Sequence, residues 1–381
     1  MTRPQKITLG ILSATACGLL SMILYMAAQA YLVWTQQPLG PALDYPTPWQ
    51  LPATWTVSPP GAPLPTVTFA PTINFETPTP ASPFLPCANL PTMTLLVIGS
   101  DSHSDDYQYG RADMIRAVRV DFRAQRVTAL EFPRDLWVEI PEVLDDLGTS
   151  RQKLNTAYHY GNPGLHFWDH PSQGPGLLAR TLDLNFGLKA DHYVAVSMNV
   201  FVEVVDTLGG LEITLPEAVD GRTSSDRSKR LVFPAGKQIL TGEQALTLAR
   251  IRNVSVFQRA SHQNLVLCAL QKKIKSSEII PQLPAIINSF IKNIQTDLTP
   301  EQISQLACLG TTMPRSNILF VSFPRELFQN DTVYDPIAKQ NVFIWEADFD
   351  LLRDYVSRFQ AGTWPVASPF STPEPGTSSC E

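Results

Sequence analysis

Proline decides where this chain can fold. From Pro38 to Pro91 it recurs every few residues among Thr, Ser and Ala, with only Asp44 and Glu76 charged. Each proline removes a backbone donor and fixes φ, so residues 38–91 can sustain neither helix nor sheet and read as an extended linker. The C-terminal stretch TWPVASPFSTPEPGTSSCE has the same character, and 361–381 is expected to be a disordered tail. Residues 92–360 remain to form one globular domain, a usual size for a single fold.

Ahead of the prolines the charge pattern changes. After Arg3 and Lys6 no charged residue appears from Ile7 to Leu43. The run ITLGILSATACGLLSMILYMAAQAYLVW is long and apolar enough to span a hydrocarbon core of ~30 Å, and Tyr31 and Trp34 suit its far interface. Residues 1–37 therefore read as a cytoplasmic stub and a transmembrane signal anchor, with everything beyond them outside the cell membrane. Two alternatives stand beside it: a signal peptide cleaved near the MAAQA of Met26 to Ala30, and lipidation at Cys17, against which Ala14 replaces the usual leucine. Net charge is −6 with no long basic stripe, so nucleic acid is not an expected partner.

Five cysteines, Cys17, Cys87, Cys268, Cys308 and Cys380, follow no metal spacing, and no CxxC occurs. Cys268 lies in a helical apolar run and reads as a small core residue. A Cys87–Cys380 disulfide is permissible outside the cell, though sequence does not establish it.

Inside the domain, strands alternate with helices. MTLLVIG, MIRAVRV, RVTALEF, LWVEI, HYVAVSM, LEITL and ILFVSF read as strands. Leu154 to Tyr160, Leu177 to Phe186, Val200 to Leu208, Thr241 to Ile251, Arg259 to Lys273, Pro284 to Ile294, Pro300 to Cys308 and Trp345 to Phe359 read as helices. This interleaving predicts an α/β fold with helices covering both sheet faces. The tight connection between the second and third strands makes the sheet mixed.

Three strand ends carry arginine and aspartate together: Ser100-Asp101, Arg111-Ala-Asp113 and Pro133-Arg134-Asp135. Loops at strand ends are where a rigid sheet presents functional groups. Carboxylates ligate a hard cation and guanidinium forks grip phosphate oxygens in pairs, so the combination suits phosphoryl transfer. Arg111 and Asp113, two apart on a strand, share a face. Lys153 and Asn155 form a further polar pair before a helix. Arg250 and Arg252 reach one ligand only if the helix unwinds there, while Arg259, His262 and Gln263 share a helical face. Any one such Arg–Asp pair is more often a plain salt bridge than a site. His103, His159, His166, His170 and His192 read as ordinary histidines, and His166-x-x-x-His170 lacks the rest of a zinc motif. No GxSxG, P-loop or GxGxxG is present.

In this order the motifs LLVIGSDS, GRADM, VTALEFPRDLWVEIP, KLNTAY, DHYVAVSMNVFVEVVDTLGGLEI, FPAGKQILTGEQALTLARIR and FQRASHQ resemble the LytR-CpsA-Psr family of cell-envelope proteins over about Thr92 to Leu270. The resemblance implies a three-layer α-β-α sandwich with a central mixed sheet and an apolar pocket for a polyprenyl chain. It further implies a phosphotransferase that moves a glycopolymer from a polyprenyl-pyrophosphate carrier to peptidoglycan with Mg2+. By matching position, Asp101 and Asp113 fall on the metal-associated carboxylates. Arg111, Arg134, Lys153, Arg250, Arg252, Arg259 and Gln263 fall on the pyrophosphate site, and Asp135 orients Arg134 or serves as a base. The resemblance departs where the family has an acid and a second arginine, for here Val256 and His262 stand. A polyprenyl-pyrophosphate hydrolase and a non-catalytic lipid-headgroup-binding regulator are the alternative expectations.

Overall fold

A computed structural model describes residues 35–45, 91–102, 109–143, 147–251, 256–290, 293–365 and 377–380, with shorter pieces within 20–31 and at 87 and 107. Arg252, His103 and most of the proline-rich segment lie outside the described residues, and no described helix is long and apolar enough to cross a membrane.

The chain opens with three long strands, β1 (Thr92–Ser100), β2 (Ala112–Asp121) and β3 (Arg126–Glu131), followed by the short pair β4 (Trp137–Glu139) and β5 (Arg151–Lys153). Helices α1 (Leu154–Tyr160) and α2 (Gln173–Phe186) come next, then β6 (His192–Ser197) and α3 (Met198–Thr207). A peripheral unit holds β7 (Leu211–Leu215), β8 (Val219–Asp220), β9 (Val232–Phe233), β10 (Gly236–Leu240), α4 (Gly242–Arg250) and α5 (Val256–Ile274). Then come α6 (Leu283–Phe290), β11 (Gln295–Thr296), α7 (Pro300–Thr312), β12 (Ile318–Ser322), β13 (Phe328–Asp335), β14 (Gln340–Ala347), α8 (Phe349–Ala361) and β15 (Thr377–Ser379).

Seven strands form one sheet in the order β11-β6-β1-β2-β3-β12-β15. β1 pairs parallel with β6 and β3 with β12, while β1–β2 and β2–β3 are antiparallel, so the sheet is mixed as expected. Alternation along the strands sends side chains to both faces. Leu96, Ile98, Ile115 and Phe132 join α1, α2 and α8 in one large core. From the opposite face, Leu95 and Val120 meet α7, and Ala129 with Phe320 meets α5. Helix starts are capped where the sequence supplies the groups. Thr241 with Gln244, and Thr299 with Gln302, close reciprocal capping boxes on α4 and α7.

Five expectations change. Trp345 lies in β14, and the last helix begins only after Asp348 caps it. Cys268 is no isolated core residue, because it bonds Cys380, while Cys87 bonds Cys308 rather than Cys380. The tail is not wholly disordered: Thr377–Ser379 pairs with β12, and Cys380 is buried. At its other end the linker is not a free spacer throughout. Leu43 and Tyr45 pack on the core, the Leu39 amide donates to Leu298 O, and the Tyr45 hydroxyl donates to Ala190 O.

Candidate functional site

A β-bulge sets the first functional group. Ser100 pairs with Ala112 and Gly99 with Met114, so Asp113 is the extra residue on β2. A bulge re-aims a side chain and breaks strict alternation. It turns Asp113 into a cavity between the β1/β6 strand ends and helices α3, α4 and α5. Arg111 does not line that cavity. Its backbone amide donates to the Asp101 carboxylate, and its side chain is exposed. The two-residue spacing that seemed to join Arg111 and Asp113 therefore fails at the bulge.

The loop after β3 supplies the second group. Its backbone is fixed from two sides, since the Asn155 amide donates to Arg134 O and the Trp345 amide to Asp135 O. Arg134 donates through Nη1 to Asp113 and through Nε to Asp135 at 3.3 Å, while Lys153 Nζ donates to the other Asp135 oxygen at 2.9 Å. Burial alone would raise the Asp135 carboxyl, but Arg134, Lys153 and Arg259 outweigh it and hold it below the usual carboxylate range. Burial likewise works against the Arg134 cation, and Asp113 and Asp135 more than restore it. Asn155, by contrast, is buried in α1 with its Oδ1 unpartnered among the described residues.

The third group comes from α4 and α5. Helix α4 ends at Arg250, and Ile251 has an extended ψ of 126°, so the chain does unwind where the double-arginine motif requires it. Arg250, Arg259 and Gln263 line the cavity. Arg259 is 8% exposed, and its Nε has no hydrogen-bond partner among the described residues. Burial and the nearby Arg134 push its pKa down, opposed by Glu131, Asp113 and Asp135. A buried guanidinium with an unused donor beside a cavity is a ready anion ligand. His262 does not share this role. Burial pushes its pKa down, against a pull upward from Glu217, so it adds no fixed positive charge near neutrality.

Beyond these groups the cavity is apolar. About 300 Å³ is enclosed by side chains such as Ile98, Val196, Phe201, Leu246, Val266 and Leu270. Asp113, Arg250, Arg259 and Gln263 are the charged and amide side chains of an otherwise oily lining, which fits an amphiphile whose headgroup is anionic. The structure thus gathers Asp113, Arg134, Asp135, Lys153, Arg250, Arg259 and Gln263, and leaves Arg111 and Asp101 outside the cavity lining, at the bulge that carries Asp113. Sequence reading passed over Arg116 and Glu131, buried behind Arg259. The signal was present as two charged residues inside apolar strands.

As a magnesium site the carboxylates fit in one limited sense. No group of three or more His, Cys, Asp or Glu gathers among the described residues. Mg2+ is commonly held by one or two carboxylates with water and substrate phosphate supplying the rest, a role open to Asp101 and Asp113.

Comparison with known proteins identifies the family and the fold. The LytR_cpsA_psr family model matches residues 77–349. A Bacillus subtilis protein named polyisoprenyl-teichoic acid–peptidoglycan teichoic acid transferase TagV is 27% identical over 208 residues, 54% of this chain and 49% of that protein. The Staphylococcus aureus regulatory protein MsrR is 27% identical over 224 residues, 58% of this chain and 61% of its own. The chain thus spans about half to three-fifths of these relatives. The crystal structure of B. subtilis TagV superposes with a TM-score of 0.54 at 23% identity, covering 71% of this chain and 97% of that one, which shows a shared fold. With the family model covering most of the domain, this chain belongs to the LytR-CpsA-Psr family.

Proposed function

We propose that this protein is a phosphotransferase that moves a glycopolymer from a polyprenyl-pyrophosphate carrier to peptidoglycan. The observation that carries the reading is the cavity itself: an apolar space whose lining includes Arg250, Arg259 and Asp113, with Arg134 bound to Asp113 from outside it. The name of the TagV relative supports the same chemistry. The apolar walls take the prenyl chain, and the guanidiniums take the pyrophosphate. Mg2+, when bound, would neutralise phosphate charge through Asp101 and Asp113. Phosphoryl transfer of this kind depends on positioning and charge neutralisation more than on covalent chemistry by the protein.

Asp135 orients rather than abstracts. Both its oxygens are engaged, one by Arg134 and one by Lys153, and a carboxylate held below its usual range is a poor general base near neutrality. Arg134 in turn holds Asp113, so phosphate binding would draw on a guanidinium already aligned. His262 favours the binding-only alternative in one respect, because it leaves the site one fixed cation short of the family pattern.

The domain works outside the cell membrane, with the apolar N-terminal run as a single-pass anchor and the N-terminus cytoplasmic. Arg3 and Lys6 ahead of that run support this orientation. Two disulfides support an oxidising compartment.

The test is transfer by the purified ectodomain from a synthetic polyprenyl-pyrophosphate-linked saccharide to peptidoglycan. Arg134→Ala and Asp113→Ala should each lower the rate by roughly 10²-fold or more, with far-ultraviolet dichroism unchanged. Equal activity in wild type and both variants would sink the reading. Release of free saccharide phosphate with no conjugate would favour the hydrolase instead.

A further inference from the structure

The helix that presents Arg259 carries no acid. The sequence of α5, VFQRASHQNLVLCALQKKI, holds neither Asp nor Glu, so a buried arginine on it must find its counter-charge elsewhere. The sheet beneath supplies one. Arg116 on β2 and Glu131 on β3 are direct cross-strand partners, with Arg116 Nη2 3.9 Å from Glu131 Oε2. Arg116 is 2% exposed, and its guanidinium lies 5.2 Å from the Phe320 ring centroid.

An ion pair placed so deep is poor value as mere stabilisation, since desolvating two charges cancels most of their attraction. Its connections point to another purpose. Arg116 Nη2 also donates to Gln263 Oε1 at 3.4 Å, and Gln263 Nε2 donates to Ala249 O at 3.4 Å, one residue before Arg250. Glu131 acts electrostatically on Arg259, where it opposes the repulsion from Arg134. One buried pair therefore bonds to Gln263, reaches through it the end of α4 that carries Arg250, and supplies a negative charge that acts on Arg259.

We propose that Arg116 and Glu131 are positioning residues that hold Arg259 and Gln263 against the sheet for an anionic headgroup. Neither lines the cavity, so their action is indirect. The pair lets two cations, Arg134 and Arg259, approach the same ligand without an acid on α5. This inference rests on the functional reading above.

The experiment uses the whole ectodomain with farnesyl pyrophosphate and farnesol as probes, titrated calorimetrically. Removing Glu131 alone risks misfolding, because it strands a buried guanidinium. The informative variant is the double replacement Arg116→Met with Glu131→Leu, which removes both charges and keeps apolar volume. It should fold and bind farnesol as wild type does, yet bind farnesyl pyrophosphate ~10-fold more weakly, as expected for a lost charge-assisted contact. Glu131→Asp, which keeps the charge, should retain more pyrophosphate affinity than the double variant, which a purely structural role would not require. A folded double variant with wild-type pyrophosphate affinity would overturn the inference and leave the functional reading intact. A wild-type protein that binds farnesol but no pyrophosphate would overturn both.

Discussion

The two faces of the central sheet are built by different means. On one, strands β1 to β3 and helices α1, α2 and α8 close into a single continuous core. Around the other, apolar contacts divide among three smaller clusters, with the cavity lying among them. Both disulfides fall on this second side. Cys87–Cys308 ties the segment before β1 to α7, and Cys268–Cys380 ties α5 to the end of β15. A face that keeps room for a ligand gives up side-chain contacts, and here covalent links hold the helices that those contacts would otherwise fix.

The sharpest way to break this contrast is to cut each face in turn. Phe132, 1% exposed, with its ring tilted against Phe186 and edge-on to Phe323, belongs to the closed core. Phe132→Ala should cost about 3–5 kcal/mol in urea unfolding. Leu270→Ala, on the cavity wall, should cost clearly less, because its side chain already borders open space. Equal losses would erase the distinction between the faces.

Next in size is the covalent link. Replacing both Cys268 and Cys380 by Ser should lower stability by about 2–4 kcal/mol. It should also weaken farnesyl pyrophosphate binding, since α5 supplies Arg259 and Gln263 to the cavity. Unchanged unfolding and binding would remove the disulfide from the comparison.

The smallest effect concerns acid. Burial lowers the folded-state pKa of His262 on the open face and of His159 on the closed face, with Arg111 adding to the shift at His159. The unfolded chain then binds these protons more readily. The stability they contribute is complete above about pH 6.5 and is lost as pH falls through their lowered folded values. His262→Asn should flatten the decline in stability between pH 7 and pH 5. An unaltered slope would show that His262 has no part in it.

How far the sequence revealed all this depended on burial contrast. Strands β1 to β3 were legible because their apolar runs end abruptly at charged loops, and α1 and α2 because their apolar positions recur at helical spacing. The hairpin β13–β14 was not, since half of its side chains are exposed and no alternation marks it, so nothing in the sequence separates Trp345 from the helix that follows. Arg116 and Glu131 were missed because a charged residue in an alternating strand looks like an outward-facing one. Helices on both faces are expected from the sequence, but that α5 lies over these two residues is shown only by the structure. The bulge at Asp113 is equally silent in sequence, and it decided which member of the Arg111–Asp113 pair meets the cavity. Cysteine pairing depends on which helix ends lie together, and spacing along the chain says nothing of that.

The docking of Leu39 to Tyr45 has a mechanical consequence. Asp44 lies within 3.7 Å of Arg180 and 3.4 Å of His170, and its carbonyl accepts from Arg180, so this segment is held by backbone, apolar and ionic contacts at once. On the far side of the prolines, Cys87 is bonded to α7. The described residues on either side of the prolines, Tyr45 and Cys87, are thus each tied to the domain. A pull applied ahead of Leu39 would enter the domain first through α2 and the residues that lead into β6.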